Sequence, residues 1–268
     1  MLSKLLKHEF RATGRVLLPV YLVLFLSAGL FNLFMHLADN YDLRALQIFR
    51  GLTAFLFGVT VIGAGIMTLV LMVYRFYKNY MTDEGYLMFT LPVSTAQLIW
   101  SKLIVALVWS AATAAAILLA IVLATLGQGF WGGFLPSLGE MWEAMWSYVP
   151  AGHLAGYIAE MVLAALLSTL SSYLMFYAAI ALGHSFANHK IFLSVVFYIG
   201  FSVALQIITS FAGIYGIVGM AESDFFDAPN PFALSHYLMG GAAVISLLVA
   251  VIFYVVTYFT LKKRLNLQ

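Results

Sequence analysis

Few residues in this chain have the chemistry for a reactive site, and where they fall narrows what the chain can do. Glu160 is the one carboxylate placed inside an apolar stretch of spanning length. A charge at membrane depth costs about 3 kcal/mol on insertion scales, so such a group either serves a partner or a path, or stands near enough to an edge to reach the headgroups. Gln206 is a second polar side chain at such depth, and hydrogen bonding between helices is the role expected of it. His36, His153, His184, His189 and His236 fall mostly at the ends of apolar stretches, where interface polarity explains them more simply than metal binding. His8-Glu9 lacks the second histidine four positions on that a zinc-protease helix requires. The chain has no cysteine, hence no disulfide, thiol nucleophile or thiolate metal site. It contains no Gly-Lys pair, so it has no P-loop with which to bind ATP. No catalytic residue, cofactor or metal is expected within it.

The elements that must position these residues are apolar. Of the 268 residues 63% are hydrophobic and 9% charged, with a mean hydropathy of +0.99. A soluble fold could not hide that much apolar surface, which makes the fold class an all-α polytopic membrane protein. Six stretches reach the roughly 20 residues that a span needs: residues 16–37, 51–74, 104–126, 154–182, 191–219 and 237–261. The first fifteen residues are charged, and the apolar stretch after them is as long as the later ones. It therefore reads as a first span rather than as part of a cleaved leader. The whole chain, 1–268, reads as a single transmembrane domain.

Charge sets the orientation. Lys4, Lys7, Arg11, Arg15, Arg75, Lys78, Lys102, Lys190, Lys262, Lys263 and Arg264 share one side of this six-span arrangement, and only Arg44 and Arg50 fall opposite. The other side collects Asp39, Asp42, Glu140, Glu143, Glu222, Asp224 and Asp227. By the positive-inside rule both termini are cytoplasmic. The net charge of +2 gives no ground for a nucleic-acid partner.

Four connecting stretches carry their own patterns. Residues 1–15 hold an amphipathic interfacial helix, with Lys4, Lys7, Arg11 and Arg15 on one arc and Leu2, Leu5, Leu6, Phe10 and Thr13 on the other. Glu9 projects from the apolar arc, to pair with a basic neighbour, face protein or snorkel. Between spans two and three, residues 82–102 read TDEGYLMFTLPVSTAQLIWSK. Asp83 and Glu84 suit the first turn of a short helix, Pro92 stops the apolar run to Leu91, and Ser94 with Gln97 is a capping box opening the next helix. The plain alternative is a tight loop with good caps. In the outer loop 128–152, Ser137 and Glu140 look like another capping box before Trp142, Met145, Trp146 and Val149, a short interfacial helix ended by Pro150. Gly213, Gly216 and Gly219 loosen the end of the fifth span for close packing or a break, and Glu222 to Ser235 reads as a loop or a partly re-entrant turn.

Lys4-Leu5-Leu6-Lys7-His8-Glu9-Phe10-Arg11 ahead of the first span, and Asp83-Glu84-Gly85-Tyr86-Leu87 with Thr90-Leu91-Pro92-Val93-Ser94 after the second, carry a resemblance. With six spans and both ends inside, the chain resembles the permease subunits of bacterial type-2 ABC exporters, especially the small Gram-positive ones. The architectural likeness runs the whole length; the specific motifs lie in the first hundred residues. The resemblance implies that 82–102 is a cytoplasmic coupling insert docking into a separate ATPase subunit, through Asp83, Glu84, Gly85, Tyr86 and Leu87. It also implies an elbow helix at the amino terminus, with Glu9 near that joint. ATP and Mg would sit on the partner, and a second permease copy or a related permease would complete the path. The cargo would be a hydrophobic or amphiphilic peptide, antibiotic or lipid-like molecule, moved out across the bacterial plasma membrane. The chain departs from larger members in having neither a fused ATPase nor a big outer domain.

Two other classes fit the residues. One is a carrier working without an ATPase, with Glu160 as its relay, though it would want more polar groups at mid-membrane. The other is a non-transporting scaffold or self-immunity protein. An intramembrane enzyme fits least, since no pair of catalytic groups faces each other at span depth.

Overall fold

A computed structural model of the chain describes residues 2–41, 43–90, 92–127, 129–148, 151–186, 188–222 and 231–263. Among the described residues there are eight helices and no strand: α1 (Leu2–Asn40), α2 (Arg44–Met81), α3 (Glu84–Thr90), α4 (Thr95–Thr125), α5 (Phe130–Tyr148), α6 (Ala151–Gly183), α7 (Lys190–Glu222) and α8 (Pro231–Lys263). Six of them, all but α3 and α5, are long and apolar enough to cross a membrane. At most 28% of the most apolar window in any of the six is buried within the chain. Apolar side chains turned outward over that length need lipid around them, the pattern of a multi-pass membrane protein.

The chain divides into two compact units, residues 1–74 with 104–145, and residues 75–103 with 146–268. In the first, α1 packs on α2 and α4 through hydroxyls and rings. Trp109 Nε1 donates to Thr13 Oγ1 at 2.7 Å. Tyr21 Oη and Thr113 Oγ1 lie 2.6 Å apart, and Thr113 is also 2.8 Å from Thr68. Ser27 meets Thr60 at 2.7 Å, and Phe31 stacks on Phe57. Where backbone amides have no water, such short polar side chains are the available fastening between helices. Gly14 lets α4 come close, since a Cβ there would stand 3.3 Å from the Trp109 ring.

The second unit is fastened by aromatics. Phe76 stacks on Tyr177 with centroids 4.0 Å apart, Tyr80 meets Phe76 edge-on, and the Tyr80 hydroxyl donates to the Leu98 carbonyl at 2.9 Å. Phe176 stacks on Tyr198 between α6 and α7, and Phe201 leans on Phe253 between α7 and α8.

Several elements differ from the expectations. The interfacial helix and the first span are one unbroken helix. The Thr13 hydroxyl, which could have capped a new start, bonds back to the Glu9 carbonyl at 2.8 Å and continues the turn. The basic arc of Lys4, Lys7, Arg11 and Arg15 is exposed as expected, while Glu9 is 3% exposed and so faces protein. Ser137 does not open a helix: α5 starts seven residues earlier, and the Ser137 hydroxyl bonds to the Gly133 carbonyl within it. α7 runs unbroken past Gly213, Gly216 and Gly219, because an amide freed by a break would have no other partner in an apolar surrounding. Glu222 ends α7 and Pro231 starts α8, at the first helical position, where its missing N–H costs nothing. That confines the expected loop to 223–230, which lies outside the described residues, as do Asp42, Leu91, Gln128, Val149, Pro150 and Arg264.

Candidate functional site

Three groupings of polar side chains stand out, all in the second unit. The first is the insert between α2 and α4. The Gly85 amide donates to the Thr82 carbonyl at 2.7 Å, and Glu84 pairs with Lys78 at 3.2 Å, which ties the start of α3 to the last turn of α2. The Thr90 hydroxyl closes the other end on the Leu87 carbonyl. Beyond Pro92 the expected capping box is present in both directions: the Gln97 amide donates to Ser94 Oγ at 3.3 Å and the Ser94 amide to Gln97 Oε1 at 3.4 Å. With its ends held, α3 buries Gly85 and exposes Glu84, Tyr86, Leu87 and Thr90. Asp83 and Glu84 are exposed, Tyr86 is 52% exposed and Leu87 72%.

Glu9 belongs to the first unit, where it is buried. Lys102, expected as a loop cation, is 3% exposed, with its ammonium 5.4 Å over the Tyr80 ring. A cation on a ring face recovers part of the hydration lost on burial.

The second grouping gives Glu160 a partner that sequence reasoning did not assign. His153, Tyr157 and Glu160 follow each other along one face of α6 at helical spacing. His236, near the start of α8, meets that face. Its Nδ1 lies 2.9 Å from both carboxylate oxygens of Glu160, and its Nε2 lies 3.1 Å from Nδ1 of His153. Tyr157 lies flat on the His236 ring, centroids 4.2 Å apart and planes within 3°. Gly156 makes the approach possible, since a Cβ there would stand 3.3 Å from His236 Cε1. The pair is partly buried, His236 at 24% and Glu160 at 30% side-chain exposure. Gln206, by contrast, is exposed on α7 beside Ile207, Ser210, Phe211 and Ile214.

The third grouping is the α6–α7 turn. His184 is buried there, with Nδ1 2.9 Å from the Ile180 carbonyl, Ser194 Oγ at 3.4 Å and Tyr77 edge-on to its ring. Burial pushes the imidazole below its ordinary range; the Ile180 carbonyl opposes this and the Lys190 charge adds to it. His189 takes a left-handed backbone, φ 56°, which lets the chain reverse within a few residues. A recess of about 340 Å³ opens beside the turn, lined by Tyr77, His184, His189 and Lys190 among others.

Among the described residues no group of three or more His, Cys, Asp or Glu is arranged to hold a metal ion. Comparison with family models, with curated proteins and with solved structures finds no match for this chain.

Proposed function

We propose that this chain is the membrane-spanning permease subunit of a bacterial ABC exporter, moving a hydrophobic or amphiphilic molecule outward with ATP hydrolysed by a separate subunit. The observation that carries the reading is α3. A seven-residue helix held at both ends, with Tyr86 and Leu87 turned outward, is built to be gripped by another protein. Exposed aromatic and aliphatic anchors of this kind concentrate binding energy when a partner buries them. Its ends join α2 and α4 through paired and capped residues, so a push on α3 reaches two spans. On this reading the chain sits in the plasma membrane with both termini and α3 cytoplasmic, the exposed basic arc of α1 lies against lipid phosphates as the elbow, and a second permease completes the path. ATP and Mg belong to the partner.

The test is Tyr86→Ala with Leu87→Ala. Neither side chain is buried, so expression and thermal stability in detergent should hold. Recovery of a cytoplasmic ATPase with the purified chain, and ATP-driven efflux from proteoliposomes, should fall at least tenfold. If the double variant keeps its ATPase and its transport, or if the unaltered chain recovers no ATPase, the reading fails.

A further inference from the structure

The Glu160–His236–His153 chain can be worked through proton by proton. An ionised carboxylate only accepts, so the imidazole nitrogen facing Glu160, Nδ1 of His236, carries the hydrogen. With His236 neutral, its Nε2 is then an acceptor, and Nδ1 of His153 donates across the 3.1 Å between the rings. That leaves Nε2 of His153 as the basic nitrogen of the set.

A proton bound at Nε2 of His153 makes that ring a cation. Its Nδ1 proton can then cross to Nε2 of His236, leaving His153 neutral as the Nε2–H tautomer and His236 as an imidazolium against Glu160. One N–H bond forms at each ring and one breaks, no heavy atom moves, and the net charge of the trio goes from −1 to 0. A second proton has no such place on the two rings. It would set N–H groups on both sides of the 3.1 Å contact and two cations side by side.

We propose that His153, His236 and Glu160 form a site that binds one proton and relays it from His153 to the imidazole facing Glu160. Holding the proton tightens the joint of α6 to α8, because a charged imidazole replaces a neutral one against the carboxylate. The stacked Tyr157 fixes the plane of the His236 ring and so the line of transfer. Among the described side chains, Tyr157 on α6 stacks on the His236 ring and Tyr237 follows His236 on α8. Among its described side chains α7 carries one charged residue, Lys190, at its far end. The site owes nothing to α3, so it stands or falls separately from the ATPase reading.

The experiment is nuclear magnetic resonance of histidine nitrogens in the full chain, held in lipid nanodiscs, with His153→Gln and His236→Gln to assign the signals. Near neutral pH His236 should show the Nδ1–H tautomer. On acidification towards about pH 5, the range in which histidines charge, the nitrogens of both rings should shift together as one proton is shared. Glu160→Gln keeps the shape but can donate as well as accept, so it should release the tautomer and uncouple the rings. If either histidine variant does not fold, Glu160→Gln supplies the assignment through the ring it disturbs first. An Nε2–H tautomer at His236, or two rings that each take up a proton independently, overturns the proposal.

Discussion

In the first unit the helices meet through hydroxyls as well as rings: Tyr21, Thr68 and Thr113 in one cluster, Ser27 with Thr60 in another, and Phe31 on Phe57. In the second unit they meet through stacked rings and imidazoles: Phe76 on Tyr177, His236 between Glu160 and His153, His184 against Ser194. Hydroxyls keep the same charge across the physiological pH range, whereas imidazoles do not. Those hydroxyl clusters are therefore fastened in a way that pH does not alter, and the imidazole joints in a way that it can; the first unit has an imidazole contact of its own, His36 on the Leu126 carbonyl at 3.1 Å. The insert α3 also belongs to the second unit.

The largest effect that would sharpen this contrast is expected at the aromatic core of the second unit. Phe76 is fully buried, stacked on Tyr177 and touched edge-on by Tyr80. Phe76→Ala should cost about 3–5 kcal/mol, the usual range for emptying a buried aromatic site. Phe31, stacked on Phe57 in the first unit, is only half-buried and should cost clearly less on the same change. Thermal unfolding of the purified chain in one detergent compares the two. Equal losses would mean that the ring contacts of the two units carry the same weight.

How much of this was legible beforehand follows from the physics of each signal. Span number and place come from long apolar runs, which a membrane makes nearly unambiguous, and the Ser94–Gln97 cap was readable because both partners lie within one turn. The same pattern at Ser137 misled, because a capping box specifies a start only where the preceding residues do not themselves form helix, and Phe130 to Pro136 do. The Glu160 site needed a contact between residues 76 positions apart. A signal for it did exist. His153 and His236 each stand at the first residues of spans that run in the same direction, so span counting alone brings them to one end. Weighing each histidine singly, as a span-end residue, hid that pairing. Glu9 was a misfit on its helix face, and its burial shows that such a misfit marks a face turned to protein.

A middle-sized effect is expected in the first unit. Thr113 Oγ1 donates to the Trp109 carbonyl at 2.8 Å, so the Tyr21 hydroxyl must donate to it, and Thr68 lies at the same oxygen. Thr113→Val keeps the shape and removes this hub. Interhelical hydrogen bonds of this kind average about 0.6 kcal/mol and reach about 1.7, and losing a shared acceptor should fall toward the upper end. The loss should be the same at about pH 5 and about pH 8, since no group in the cluster ionises between them. A loss that changes across that interval would show a titrating group at work in the first unit and break the contrast.

The smallest effect is expected at His184, a loss of stability as pH falls. Burial in the α6–α7 turn holds the ring below its ordinary value of about 6.5. Above that pH the ring is neutral in both the folded and the unfolded chain and contributes no pH dependence. As pH falls through about 6.5 the unfolded chain binds the proton first, while the folded turn refuses it. The unfolded state then holds more protons, and stability falls with falling pH until the folded ring too is charged. His184→Gln can still donate a hydrogen bond to the Ile180 carbonyl but cannot take a proton. The variant should match the unaltered chain above about pH 7 and lose less melting temperature below about pH 6. The two proteins differ at residue 184 alone, so the difference between the two curves belongs to that residue. Parallel curves across the whole range would mean that the turn tolerates the charged ring.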